Sequence, residues 1–198
     1  MKRTTAIWAV LSMLLMASNA FADQPPYGWS ISASETDPFV NTTDGVAGFK
    51  TVYLWFVCST PETGGGPGGM ASAEFVVCAD AANIVGTVLV NGFLNAGPPP
   101  SGGNIDLLLA VGSCPEGPVV AVNILMTNTG SGQVCICPVP KNGNQVTVDC
   151  APAPTAWPIE WIGLDKGTGQ SCGEGDVNCD KPVSVEDSSW GTIKGLYR

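Results

Sequence analysis

The eight cysteines are the feature that most constrains what this 198-residue chain can fold into. All of them lie after residue 57, and none has the C-x-x-C spacing that is typical of metal and redox sites. An even number of cysteines in an exported chain predicts disulfides rather than metal ligands. We therefore expect disulfide bonds among Cys58, Cys78, Cys114, Cys135, Cys137, Cys150, Cys172 and Cys179.

Closeness along the chain suggests two of the pairings. Cys58 and Cys78 end successive predicted strands that a glycine-rich segment joins. Cys172 and Cys179 are close enough to close a single loop. We predict a bond within each of these two pairs.

The spacing of Cys135 and Cys137 constrains them differently. They are two residues apart on a predicted strand, so their side chains should point to the same face. We therefore expect no bond between them. Each should reach a different partner, in Cys114 and Cys150.

Residues 1–22 have the parts of a secretory signal peptide. Lys2-Arg3 supplies the positive charge, residues 6–16 form the apolar run, and Ala20-Phe21-Ala22 presents small residues to a signal peptidase. The apolar run is shorter than the roughly 20 residues that a membrane-spanning helix needs. We expect cleavage after residue 22, no transmembrane segment after cleavage, and a protein in the periplasm, at the cell surface or outside the cell.

Composition excludes several functions. A net charge of −9 leaves no basic face for nucleic acid, and the absence of histidine removes Ser-His-Asp and Cys-His catalysis. The serine motif S-x-x-K is also missing. Glycoside hydrolysis needs two facing carboxylates, and the spacing of the acidic residues selects no pair, although Glu74 and Glu160 are available. We therefore predict no catalytic residues and no enzyme.

Short apolar runs separated by glycine- and proline-rich turns predict an all-β fold. Their spacing, without a helical period between them, is typical of an antiparallel sandwich or barrel. Leu107-Leu108-Leu109 does not alternate, so we expect that strand to be covered on both faces. The predicted strands are residues 50–58, 71–78, 84–94, 104–111, 118–126, 133–139, 144–150 and 158–164.

The strand count favours a disulfide-stabilised, antiparallel β-sandwich of immunoglobulin-like or cohesin-like shape, followed by a short C-terminal helix. The chain is long enough for one substantial core, and its composition changes only after residue 165. The predicted organisation is a signal peptide (1–22), an irregular leader (23–45), the β-sandwich domain (46–165), an acidic cysteine-containing loop (166–187) and a helical tail (188–198).

Residues 175–187 contain a loop in which Asp176 is position 1. Oxygen-bearing side chains stand at positions 1, 3, 5, 9 and 12 of this loop, and apolar Val183 stands at position 8. This is the EF-hand pattern. Residues 175–197 resemble one half of a dockerin-type calcium repeat, although Lys181 stands where a glycine is expected. A disulfide-stapled acidic linker is the alternative. Calcium is the one cofactor that the sequence suggests, and none is required. The resemblance implies as ligands Asp176, Asn178, Asp180, Ser184 and Asp187, with Pro182 contributing its backbone carbonyl.

The last residues of the chain, W-G-T-I-K-G-L-Y-R, resemble the tail of uncharacterised secreted bacterial proteins. In a helix, Trp190, Ile193, Leu196 and Tyr197 would share one apolar face that needs a surface to dock on. The tail is therefore either a sorting or attachment signal, or a segment that closes the sandwich.

Four aromatic residues in proline-rich or short segments are candidates for a sugar-binding platform: Tyr27, Trp29, Trp157 and Trp161. Filling the core is the alternative for such side chains. We predict a secreted, non-catalytic β-sandwich with a structural, adhesive or binding role at the bacterial cell envelope or outside the cell. Its partner would be an envelope protein or a polysaccharide. The alternative is a carbohydrate-active enzyme or a sugar-binding accessory module.

Overall fold

The computed structural model describes residues 27–59, 69–173 and Val177. These residues form an all-β fold, which confirms the predicted class, and no helix occurs among them. The predicted C-terminal helix lies outside the described residues. The strands are β1 (Tyr27–Ser32), β2 (Thr42–Thr43), β3 (Gly48–Ser59), β4 (Met70–Ala79), β5 (Ala82–Leu89), β6 (Phe93–Asn95), β7 (Asn104–Val111), β8 (Val119–Asn128), β9 (Gly132–Cys137), β10 (Val146–Asp149), β11 (Ala156–Ile162) and β12 (Leu164–Lys166).

All twelve strands are connected in one mixed sheet that contains two groups of strands. In the first group, β1, β3, β8 and β5 are neighbours in that order, and their pairings are antiparallel. In the second group, β2, β12, β9, β4 and β10 follow one another, β7 lies along β4, and β6 lies along β7. The pairings of β1 with β11 and of β2 with β12 are parallel. The prediction of a purely antiparallel arrangement is therefore wrong for these two pairs.

Strand β11 connects the two groups. Its first residues, 156–158, pair antiparallel with β10 of the second group. Its later residues, 159–162, pair parallel with β1 of the first group. One strand therefore passes from one group to the other and fixes their relative position.

The two groups share one buried core. Leu54 of β3 and Ile124 of β8 belong to it from the first group, and Leu107 of β7 and Val134 of β9 belong to it from the second. These side chains are essentially removed from water. Burying an aliphatic side chain of this size stabilises a fold by about 1.5–3 kcal/mol, so the shared core holds the two groups together.

Trp29 contacts both groups within this core. It is fully buried, and its ring centroid lies 5.4 Å from that of Phe56 on β3 and 4.9 Å from that of Phe75 on β4. Its indole Nε1 donates a hydrogen bond of 3.0 Å to Oγ1 of Thr147 on β10. The polar end of the largest buried side chain is thus satisfied, which a buried donor requires.

The predicted irregular leader over residues 23–45 is wrong for two stretches. Residues 27–32 form the buried strand β1, and residues 42–43 form β2. The hydroxyls of Ser30 and Ser32 are buried as well, and they donate hydrogen bonds to the carbonyls of Pro38 and Asp37, at 2.5 and 2.6 Å. Because the neighbouring loop satisfies these hydroxyls, a strand with serine at every second position can be buried on both faces.

Most predicted strands are present, and the boundaries differ where a turn interrupts an apolar run. The run over residues 84–94 is split into β5 and β6 by Asn91-Gly92, where both residues have positive φ angles of 52° and 79°. The prediction that β7 is covered on both faces is wrong, because Leu108 is 44% exposed while its neighbours are buried. That strand has one core face and one outer face.

Val177 belongs to a second, smaller hydrophobic cluster. It is 6% exposed and clusters with Trp55 and Val57 of β3 and with Val120 of β8. The indole Nε1 of Trp55 donates a hydrogen bond of 3.1 Å to the carbonyl oxygen of Ser34. This cluster lies apart from the main core and fixes Val177 beside the first group of strands.

Candidate functional site

Three disulfides join segments of the described chain, each with a normal separation of the Cα atoms. Cys78 on β4 is bonded to Cys137 on β9, with the Cα atoms 6.3 Å apart. Two further bonds join Cys114 to Cys150 at 6.0 Å and Cys135 to Cys172 at 5.8 Å. Cys58 is also disulfide-bonded, and Cys179 lies outside the described residues.

Both pairings predicted from closeness along the chain are wrong. Cys78 is bonded to Cys137 rather than to Cys58, because β3 and β4 belong to different groups and do not form a hairpin. Cys172 is bonded to Cys135 rather than to Cys179. The reason is that β12 pairs with β9 and carries the following segment back beside Cys135.

The prediction for the two cysteines of β9 is partly confirmed. Cys135 and Cys137 alternate with buried core residues on β9, so their side chains share the face away from the core, and they do not bond each other. Their expected partners are wrong, because Cys114 and Cys150 are bonded to each other. That bond ties the loop after β7 to the residue that follows β10.

The predicted aromatic platform is wrong for Tyr27 and Trp29. Both are buried in β1, where they pack on Phe56 and cannot meet a sugar. Trp157 and Trp161 lie on the same face of β11, as their spacing predicted, and both are half-buried against the main core. Their rings therefore serve at least partly to cover the core.

Asp149 holds Trp157 in place and caps a turn. Its Oδ2 accepts a hydrogen bond of 2.9 Å from Nε1 of Trp157, and its Oδ1 accepts from the backbone N–H groups of Thr155 and Ala151, at 3.0 and 3.1 Å. Burial alone would raise the pKa of Asp149, but these hydrogen bonds outweigh it and lower the pKa. The carboxylate is therefore held ionised as a structural acceptor.

Two further aspartates are also committed to local structure. The hydroxyl and N–H of Thr168 and the N–H of Gly169 donate to the carboxylate of Asp165 and lower its pKa. The side-chain hydrogen bond and ion pair with Lys50 lower the pKa of Asp44. These groups stabilise turns and an ion pair in the ionised form.

The structure places Glu74 and Glu160, the two carboxylates named from the sequence, on different strands. Glu74 lies on β4, and its carboxylate accepts hydrogen bonds from the side-chain amides of Asn142 and Asn144. Glu160 lies on β11 and is paired with Gly28 of β1. The structure therefore gives Glu74 a role in holding the turn before β10.

The predicted calcium ligands lie outside the described residues: Asp176, Asn178, Asp180, Pro182, Ser184 and Asp187. The tail over residues 188–198 and the signal peptide also lie outside them. Of the acidic loop around these ligands, Val177 is described, and it is buried. Within residues 27–59, 69–173 and 177, no cluster of three or more cysteine or acidic residues could hold a metal ion.

Sequence reasoning missed Lys166, the last residue of β12. The side chain is fully buried, and its Nζ donates to the backbone carbonyl of Asp80 at 2.6 Å and to Oδ1 of Asn128 at 2.7 Å. The carbonyls of Ala81 and Gly130 lie at 3.3 and 3.4 Å. No pattern in the sequence distinguishes this lysine from a surface lysine, because its partners come from three distant turns and strand ends.

Comparisons with known proteins give no family for the chain. No family model matches it, and its sequence has no significant match among curated proteins. In the part of the chain that the structure describes, no helix has the length and apolar character needed to cross a membrane.

Proposed function

We propose that this is an exported, non-catalytic β-sandwich protein with a structural, adhesive or binding role at the bacterial cell envelope or outside the cell. The disulfide framework is the observation that carries the proposal. One bond joins β4 to β9, a second joins the loop after β7 to the end of β10, and a third joins β9 to the segment after β12. Such bonds persist in oxidising compartments and are rare where thiols are kept reduced.

The strands form two facing layers of an immunoglobulin-like or cohesin-like sandwich. The shared core supports this arrangement, because buried side chains of β3 and β8 lie in one cluster with those of β4, β7 and β9. The crossover of β11 from one group to the other also supports two packed layers, since strands that switch sheets form the corners between packed sheets.

The state of three of the described aspartates favours a non-catalytic role. A glycosidase needs a carboxylic acid with a raised pKa to protonate the leaving group. Asp44, Asp149 and Asp165 instead have lowered pKa values, and hydrogen bonds hold each of them ionised. Each of these carboxylates stabilises local structure.

A sugar-binding accessory role is the alternative from another class. Two of its four candidate aromatics, Trp157 and Trp161, keep part of their surface exposed on β11. Titration with soluble polysaccharides, followed by tryptophan fluorescence, tests this alternative. Binding that Trp161→Ala abolishes, with the fold intact by far-UV circular dichroism, would favour it over the structural role.

The calcium loop remains a prediction with its own test. Isothermal titration with calcium chloride should show binding in the full chain and none in Asp176→Ala. Asp106→Ala, on β7, is the control and should bind like the unaltered chain. A flat trace for the unaltered chain at millimolar calcium would remove calcium from the proposal.

Localisation and thiol state together test export. A tagged full-length chain in a bacterial host should be recovered outside the cytoplasm, with cysteines that react with a maleimide only after reduction. A chain without residues 1–22 should stay in the cytoplasm with reactive thiols. Recovery of the full-length chain from the cytoplasm with reactive thiols would refute the proposal.

An envelope role predicts a partner as well as a location. The purified, oxidised protein should co-sediment with isolated envelope fragments from the same host, whereas a disulfide-reduced sample should lose this binding. Deletion of residues 188–198 distinguishes the two interpretations of the tail. Normal export with lost envelope attachment would identify it as an attachment signal.

A further inference from the structure

Lys166 and Asn128 meet in the interior of the protein, from opposite groups of strands. Lys166 ends β12 of the second group, and Asn128 ends β8 of the first. Both side chains are essentially fully buried, and the Nζ of the lysine lies 2.7 Å from Oδ1 of the asparagine. An amine and a carboxamide are therefore held in contact where water is excluded.

The carboxamide is fixed in one orientation. Its Nδ2 donates a hydrogen bond of 2.9 Å to the carbonyl of Val46, while its Oδ1 accepts from Lys166. The backbone of Asn128 is paired on both sides, with Gly48 of β3 and with Ala82 of β5. The amide carbon is thus presented to the lysine by a rigid strand end.

The lysine is buried without a carboxylate partner. Among the described residues, Lys50 forms an ion pair with Asp44, but Lys166 forms no ion pair. A buried charge that lacks a partner of opposite charge is costly, even when carbonyl groups accept its hydrogen bonds. A reaction that removes this charge would therefore be favoured by the site itself.

We propose that Lys166 and Asn128 form an intramolecular isopeptide bond. The Nζ attacks the Cγ of Asn128, the Nζ–Cγ bond forms, and the Cγ–Nδ2 bond breaks. Starting from the ammonium form, the two protons that leave Nζ end on the departing nitrogen, which is released as ammonium. The products balance without an oxidant, a reductant or any further reactant.

The surroundings favour each part of this step. Burial lowers the pKa of Lys166 and so increases the share of the neutral, nucleophilic amine. Holding two reacting groups in contact on rigid elements can correspond to an effective concentration of about 10⁵ M or more. The charge of Asp80 raises the pKa of this amine and so partly opposes the effect of burial, but the net direction is a lowered pKa.

The bond would add a connection that the disulfides described above do not supply. Those three disulfides all lie within or beside the second group of strands, whereas the isopeptide joins β8 to β12 and so links the two groups. It would also survive reducing agents. The inference is independent of export, because the reaction needs no oxidising compartment.

Peptide mapping of the full-length chain tests the inference directly. After complete reduction and alkylation, trypsin should release residues 51–141 and 142–166 as separate peptides if no link exists. If the link exists, trypsin cannot cut at the acylated Lys166. The peptide that contains Asn128 then stays joined to the one that contains Lys166, with a combined mass lower by one ammonia molecule.

Two variants and one internal check keep the result unambiguous. Lys166→Arg keeps the charge and the trypsin site but has no amine nucleophile, so its peptides should separate. Lys141→Arg alters an exposed lysine and should keep the joined peptides. Loss of ammonia at Asn142-Gly143 would leave the peptides separate, so joining rather than mass is the criterion. Separate peptides from the unaltered chain, with Asn128 intact, would overturn the inference whether or not Lys166→Arg folds.

Discussion

Removing the disulfide between Cys114 and Cys150 should destabilise the protein through the unfolded chain. Cys114 is exposed and Cys150 is half-buried, so replacing both by serine removes little apolar surface from the core. The bond ties the loop after β7 to the end of β10. The variant Cys114→Ser/Cys150→Ser therefore isolates the effect of the crosslink better than a variant within β4 or β9 would.

The expected magnitude follows from the length of the closed loop. The two cysteines are 36 residues apart, and losing a loop of this length from the unfolded ensemble corresponds to about 4 kcal/mol at 25 °C. Domains of this size are stable by about 5–15 kcal/mol, so the variant should remain folded with a much smaller margin. The unfolded chain should also be more expanded, which raises the urea m-value.

Equilibrium unfolding in urea, followed by far-UV circular dichroism, measures both quantities. Ser113→Ala, beside Cys114 and also exposed, is the matched control and should change the free energy of unfolding by less than about 0.5 kcal/mol. A loss below about 1 kcal/mol in the double cysteine variant, with an unchanged m-value, would refute the reasoning from loop closure.

Three further changes test individual contacts by urea unfolding. Trp29→Phe should cost about 1–3 kcal/mol, because it leaves the buried hydroxyl of Thr147 without its donor. Asp149→Asn should remove a stabilisation that is present above the ordinary aspartate pKa of 3.8 and is lost as the pH falls through the lowered folded pKa; its deficit should therefore shrink below about pH 4. Val177→Ala should cost about 1–2 kcal/mol and shift the emission of buried Trp55 to longer wavelength.

Each of these changes has its own control and its own contradicting result. For Trp29→Phe, the control is a double-mutant cycle with Thr147→Val. The free-energy cost of the double variant should differ from the sum of the two single costs, because the two side chains share a hydrogen bond. Equal values would show that this hydrogen bond contributes nothing. A deficit for Asp149→Asn that persists unchanged at low pH would contradict the assignment of that carboxylate. Val85→Ala, at a valine that is 54% exposed, should leave stability and emission nearly unchanged.

The fold class could be predicted because local patterns carry it. Strand β7 begins and ends where the sequence predicted, at Asn104 and Val111, because glycine-rich turns bound it. Strand β1 was missed because Tyr27–Ser32 is short and follows a proline pair, and its burial depends on pairing with β11 near the other end of the described chain. Such long-range pairing leaves no local signal.

The candidate site shows the same division. The cysteine count predicted disulfides, but the partner of Cys78 depends on β4 lying beside β9, which no spacing reveals. Likewise, the residue type of Lys166 gives no sign that the carbonyls of Asp80 and Gly130 converge on it. Only the folded arrangement of distant segments brings these groups together.

The disulfide framework also sets how the oxidised protein would respond to pulling. A covalent path from residue 27 to residue 172 can run along the chain to Cys78, cross to Cys137, step back to Cys135 and cross again to Cys172. Residues 79–134 and 138–171 lie off this path, so mechanical tension would bypass them. A pull between residues 27 and 172 could therefore extend at most the chain before Cys78, while residues 79–134 and 138–171 kept their shape under force.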